Sequence, residues 1–188
     1  MTVSETDRLD VIDRVEKRPV GLEERIDRLE ARDAIHDVMM RYGHYCDSRS
    51  WDKVLSLYTD DVERVLTGTL DERVQGKEKL RELYLHPVLP SRDGRSLGAA
   101  AAATPGQDMT IRHMFAAPVI RVSDDGREGW LTAYFSLVKS MATDAGFQRH
   151  VHEGTYIFTF VKQGQDWKIR KMVVDTEIGH DPGFRPSS

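Results

Sequence analysis

A single cysteine, Cys46, stands among the 188 residues, which excludes an internal disulfide framework and leaves no Cys pair for a zinc knuckle or ribbon. A reducing, cytoplasmic setting is the expectation. No apolar run approaches the roughly 18 residues that span a bilayer, and the opening MTVSETDRLD has neither a positive n-region nor an apolar h-region. Neither a membrane protein nor a secreted precursor is expected. A basic excess is lacking too: 27 Lys and Arg stand against 31 Asp and Glu, for a formal charge of −4. A phosphate-binding face shows as clustered Lys and Arg, so no nucleic-acid partner is expected. Small-molecule chemistry or a protein partnership remains.

What is present suffices for one core. The chain is 39% hydrophobic and 31% charged and holds three Trp, six Tyr and six Phe, which fits a single domain with part of the chain outside its core. Residues 1–20, with Val11, Ile12 and Val15 as isolated apolar positions and Pro19 among them, read as a frayed or partner-dependent arm. From Leu22 the apolar positions Leu22, Ile26, Leu29, Ala34 or Ile35, Val38, Met39 and Tyr42 recur at three and four, the period of an amphipathic helix. The stretch Asp47-Ser48-Arg49-Ser50 ends it, and Ser50 can cap a second, short helix over Trp51–Tyr58. Val62–Leu66 then reads as a strand and Gly76–Tyr84 as a third helix.

Between Pro87 and Met109 the composition shifts to Pro, Gly, Ser and Ala, which suggests a long loop or lid at 87–109. The second half turns to strands. Ile111–Val122, Trp130–Met141, Phe147–Lys162 and Trp167–Thr176 are separated by turn signals such as Ser123-Asp124-Asp125-Gly126. Four strands in sequence after the helices predict an α+β domain over 21–180, a curved antiparallel sheet covered on one face by the helices, with 181–188 as a tail. Such a bent sheet leaves a concave pocket.

Ionisable groups gather where the long helix ends and the strands begin. Tyr42, His44, Tyr45 and Asp47 lie at the helix end, His113 opens the first long strand, and His150 and His152 sit in the third. Alternation puts His150, His152, Tyr156, Phe158 and Phe160 on one face of that strand, subject to reversal by a bulge. Each residue taken singly has an ordinary reading: Asp47 as a cap of the next helix, Tyr42 as a core aromatic. His150 and His152 lack a third ligand at fixed spacing, so no metal is expected. Cys46 reads as a small buried residue. Arg112, Lys139 and Arg149 are cations that could meet an acidic substrate, though strand-end cations are usually solvated.

The run Arg41-Tyr42-Gly43-His44-Tyr45-Cys46-Asp47-Ser48-Arg49-Ser50-Trp51-Asp52, followed by Leu57-Tyr58-Thr59-Asp60-Asp61, resembles the opening signature of SnoaL-like proteins in the nuclear transport factor 2-like superfamily. Gly76-Lys77-Glu78, Arg112-His113, Gly154-Thr155-Tyr156 and Asp166-Trp167-Lys168-Ile169 follow in the same order. The resemblance runs from about residue 22 to about residue 180 and implies a cone-shaped α+β barrel. Within the superfamily the pattern is closest to bile acid 7α-dehydratase and scytalone dehydratase and, more distantly, to hexachlorocyclohexane dehydrochlorinase.

That likeness implies a catalytic dyad of Asp47 and His113, with Tyr42 as a further polar group. An imidazole suits proton abstraction, a carboxylate on its other nitrogen holds the tautomer, and a phenol can donate to developing enolate charge. His152, His150, Tyr45, Tyr134 and Tyr156 are expected around the substrate. The implied activity is a cofactor-independent lyase, a dehydratase acting on a hydrophobic polycyclic or aromatic molecule. An isomerase or polyketide cyclase of the same fold, or a non-catalytic module like the β subunit of a ring-hydroxylating dioxygenase, is the alternative. A homo-oligomer, dimer or trimer, is implied as well.

Overall fold

A computed structural model describes residues 5–19, 21–68, 72–85, 109–143 and 146–180; the expected lid at 87–109, apart from Met109, and the tail at 181–188 lie outside these. Among the described residues the order is α1 (Glu5–Ile12), α2 (Leu22–Asp47), α3 (Trp51–Ser56), β1 (Tyr58–Gly68), β2 (Glu72–Gln75), α4 (Lys77–Leu85), β3 (Met109–Val122), β4 (Glu128–Thr143), β5 (Gly146–Gln163) and β6 (Asp166–His180). The six strands form one sheet in the order β2-β1-β6-β5-β4-β3. Successive strands β3 to β6 pair antiparallel. β1 pairs parallel to β6. No helix among the described residues is long and apolar enough to cross a membrane.

Period decides which face is buried. On α2 the positions Ala31, Ile35, Val38, Met39, Tyr42 and Cys46 face the sheet, a stripe at three and four. Leu131, Ala133 and Phe135 of β4, Tyr156, Phe158 and Phe160 of β5, and Ile169, Met172 and Val174 of β6 meet it. Ile35, Leu131, Phe158, Phe160, Ile169 and Met172 are fully buried. The periodic reading from Leu22 holds for the helix but not for its first turns: Leu22 is 72% and Leu29 63% exposed. There the helix has passed the strands and lies against the β3–β4 turn, so Arg28 turns inward to the Lys17 carbonyl and Asp124. An open groove of about 460 Å³ lies at this end, lined by Asp27, Asp124, Lys162 and Trp167 and by none of the candidate site residues.

In the arm, expected as flexible or helical, α1 lies on the outer face of the sheet, where Val11 is buried with Ile157 and Val173 beside Val65 and Trp130. The Arg14 guanidinium stacks 3.7 Å from the Trp130 ring centroid, and Glu16 accepts a hydrogen bond from the Val122 N–H at 2.7 Å and pairs with Arg32. An exposed cation on an indole contributes about 0.5–1 kcal/mol, which adds to the burial of Val11 in holding a short helix that would not be stable alone.

One irregularity aims the site. β3 is an edge strand, and between Ala116 and Val119 its register with β4 shifts by one residue. Ala117 takes φ 50 there, and Pro118 withholds an N–H that an edge can spare. The extra residue switches parity: His113 and Phe115 face inward before the bulge, Ile120 and Val122 after it.

Candidate functional site

The carboxylate and the imidazole come from elements 66 residues apart. Asp47 is the last residue of α2, where the helix dipole disfavours an anion. Its compensation lies on β3: Asp47 Oδ1 is 2.7 Å from His113 Nδ1, and the His113 backbone N–H reaches Oδ1 and Oδ2 at 3.1 and 3.2 Å. A carboxylate only accepts, so Nδ1 carries the proton and the lone pair of the neutral ring is on Nε2. Both side chains are nearly enclosed, 9% and 13% exposed.

Gly43 makes this approach possible. A Cβ at Gly43 would stand 2.8 Å from Phe115 Cε2 and 3.4 Å from His113 Cβ, so glycine in mid-helix lets α2 close on β3 despite its helix cost of about 1 kcal/mol. Gly43→Ala recovers that propensity but forces the Phe115 ring aside at an overpacking cost of about 1–3 kcal/mol. The expected net result is a protein about 1 kcal/mol less stable, read by urea denaturation, with a lengthened Asp47–His113 contact.

Aromatic rings surround the dyad. Tyr42 meets His113 edge-on at 5.9 Å between centroids and touches Tyr58, Tyr156 and Phe158 at 6.0–6.4 Å. Phe115 lies 6.2 Å from His113. Burial pushes the Tyr42 phenol well above its ordinary pKa, reinforced by Cys46 and the neighbouring phenols, so it remains a hydrogen-bond donor at neutral pH. Its hydroxyl lies close to the side chains of Cys46, Tyr84 and Tyr156. Cys46 is buried, and desolvation lifts its thiol to about 12, a packing residue with no thiolate at neutral pH.

The histidines of β5 fall on the inner face. His113 and His152 both pair with Leu137 of β4, so their backbones flank that strand about 10 Å apart. His152 Nδ1 is buried without a hydrogen-bond partner. Burial, then Lys139 and His150, lowers its pKa to about 4, so its ring is neutral and carries no proton to donate as an acid near pH 7. His150 lies one rung outward, opposite Lys139. Tyr156 is buried beside Tyr42, and Tyr45 is half-buried with Lys53 over its ring.

Tyr134 does not join this group. It is 49% exposed on the outer face and bonds Arg8 of α1 at 3.1 Å; alternation with the inward Ala133 and Phe135 turns it away from the interior. Arg112 and Arg149 are exposed as well.

Lys139 is 8% exposed on the inner face, and burial lowers its amine to about 8. The folded pKa lies below the unfolded value of about 10.4, so the buried charge costs stability below about pH 8 and the cost fades as pH rises toward 10. Lys139→Met is expected to stabilise the protein by about 1–3 kcal/mol near pH 7. In urea titrations that advantage shrinks as the pH approaches about 10.

Sequence reasoning missed a second set of polar groups. Arg64 lies on β1 between the inward Val62 and Leu66, with a side chain 14% exposed, and its Nη1 is 3.7 Å from Glu72 Oε1. The Tyr58 and Tyr84 hydroxyls are 3.2 Å apart nearby. The signal was a charged residue in an apolar, alternating row. Among the described residues no group of three His, Cys, Asp or Glu could hold a metal ion.

Residues 27–173 match the model of the SnoaL-like domain. The chain belongs to this family. No curated protein matches it. Among solved structures the SnoaL-like chain resembles a candidate scytalone dehydratase from Novosphingobium aromaticivorans, at 16% identity and a TM-score of 0.63 over 84% of this chain and 91% of that one. It resembles a type 2 hexachlorocyclohexane dehydrochlorinase at 17% identity and 0.58 over 87% and 97%. The β subunit of the benzoate 1,2-dioxygenase of Burkholderia mallei matches at 13% identity and 0.58 over 85% and 93%. At these identities the likeness is one of fold, the nuclear transport factor 2-like, cystatin-like α+β cone with an unclosed sheet.

Proposed function

We propose that the protein is a cofactor-independent lyase, a dehydratase that eliminates water from a hydrophobic polycyclic or aromatic substrate with His113 as base. The observation that carries this reading is the 2.7 Å contact between Asp47 Oδ1 and His113 Nδ1, which leaves Nε2 as the nitrogen available to substrate on an aromatic face.

The steps follow from the side chains. His113 Nε2 removes a proton from a carbon next to an electron-withdrawing group, and the electron pair becomes the new C=C bond as the C–O bond breaks. Asp47 stabilises the imidazolium formed. The departing hydroxide takes that proton back from Nε2 and leaves as water, which restores the neutral ring. His152 is neutral at pH 7 by its depressed pKa, so in this sequence it orients substrate and His113 supplies both proton transfers. Tyr42, whose phenol stays protonated, donates toward the oxygen on which enolate charge develops. Phe115, half-buried beside His113, supplies apolar contact for a ring system, with Tyr156 and Phe158 packed behind it.

The test is a panel of cyclic β-hydroxy ketones and β-hydroxy acids, followed by the ultraviolet absorbance of the conjugated product. Water loss by the wild type that disappears in His113→Ala supports the reading. A shifted double bond or ring closure without water loss selects the isomerase or cyclase instead, and activity only with a copurifying large subunit selects the non-catalytic module.

A further inference from the structure

The least explained groups in the cone are Arg64 and Glu72. Arg64 Nε and Nη1 and both carboxylate oxygens of Glu72 are buried without a hydrogen-bond partner. The two charges stand 3.7 Å apart, too far for a hydrogen bond. Arg and carboxylate normally join through two parallel hydrogen bonds, and that geometry is what offsets the desolvation of a buried pair. Here the guanidinium makes no such bond to its counter-ion. Its charge acts on the hydroxyls of Tyr84, Tyr42 and Tyr58, so these four groups share one pole of the interior. The Tyr42 ring connects that pole to the dyad, with Tyr58 at 6.4 Å on one side and His113 at 5.9 Å on the other.

A purely structural ion pair has no reason to leave two cationic donors unmade where those atoms are shielded from water. An anionic oxygen does: a carboxylate offers acceptors in the geometry of the guanidinium fork. We propose that Arg64, assisted by the Tyr58 and Tyr84 hydroxyls, binds the carboxylate of an aromatic or polycyclic acid and so holds the far end of the substrate while His113 meets the reacting carbon. Glu72 is the placeholder that balances Arg64 when the site is empty. This rests on the reading that the dyad's face receives the substrate, and it narrows the substrate class from hydrophobic molecules to hydrophobic acids.

The experiment is isothermal titration of the full chain with 2-naphthoate and with its neutral counterpart, 2-naphthamide. The wild type is expected to bind naphthoate roughly tenfold more tightly, and Arg64→Gln to bring the two within about twofold. His113→Ala is expected to keep the preference while losing turnover, so the base assignment and the acid site fail separately. Equal binding of the two compounds by the wild type, binding of neither, or a preference that survives Arg64→Gln overturns the proposal. If Arg64→Gln does not fold by circular dichroism, Glu72→Gln decides: it is expected to tighten naphthoate and leave naphthamide unchanged, and unchanged naphthoate affinity overturns the proposal.

Discussion

Asp47→Asn is expected to lower kcat by roughly 100- to 10,000-fold with little change in fold. The carboxylate accepts two donors, the Nδ1–H and the backbone N–H of His113. An amide of the same shape has one oxygen and one NH₂, so it cannot accept both with the same pair of atoms. If its oxygen keeps the backbone N–H, its NH₂ faces Nδ1 and favours the tautomer with the proton on Nε2, the atom that must be free to act. The imidazolium also loses its neutralising charge. His113→Ala removes the base itself and is expected to cost at least as much. KM moves little in either variant, because the aromatic surroundings that bind a ring remain.

Phe158→Ala is expected to destabilise the protein by about 3–5 kcal/mol. Phe158 is fully buried and stacks 5.3 Å from Tyr156, with Phe160 at 5.7 Å and Tyr42 at 6.0 Å. Loss of the ring removes its transfer free energy and leaves a cavity between α2 and β5 that the close-packed neighbours fill only in part. For a chain of this size the melting temperature should fall by roughly 10 °C in differential scanning calorimetry. Tyr42 leans on this ring, so the variant should lose activity even below its melting point. Such a loss of activity at full foldedness would set it apart from a packing change remote from the site.

Local pattern made much of the fold legible. The period of three and four from Ile35 to Tyr42 announced α2, and alternation on β5 put His150 and His152 with Tyr156, Phe158 and Phe160, as the sheet has them. The same rule on β4 separates Tyr134 from Ala133 and Phe135, and on β1 sets Arg64 with Val62 and Leu66; applied there, it would have turned Tyr134 outward and Arg64 inward. Other features were beyond local pattern. Leu22 and Leu29 have helical spacing, but their exposure depends on where the sheet ends. Val11 is a lone apolar residue whose burial needs Ile157 and Val173 from far along the chain. The meeting of Asp47 with His113 spans 66 residues, and only family likeness anticipated it, because no spacing rule links the end of a helix to the inward side of a distant edge strand.

The central claim is that His113 removes the substrate proton and Asp47 acts through it. A double-mutant cycle on kcat/KM with a substrate from the hydroxy-ketone and hydroxy-acid panel measures this most directly. The account predicts that His113→Ala combined with Asp47→Asn loses no more than His113→Ala alone, since a carboxylate without its imidazole has nothing to orient. Losses that multiply in the double variant, or turnover that survives His113→Ala near the wild-type rate, would contradict it.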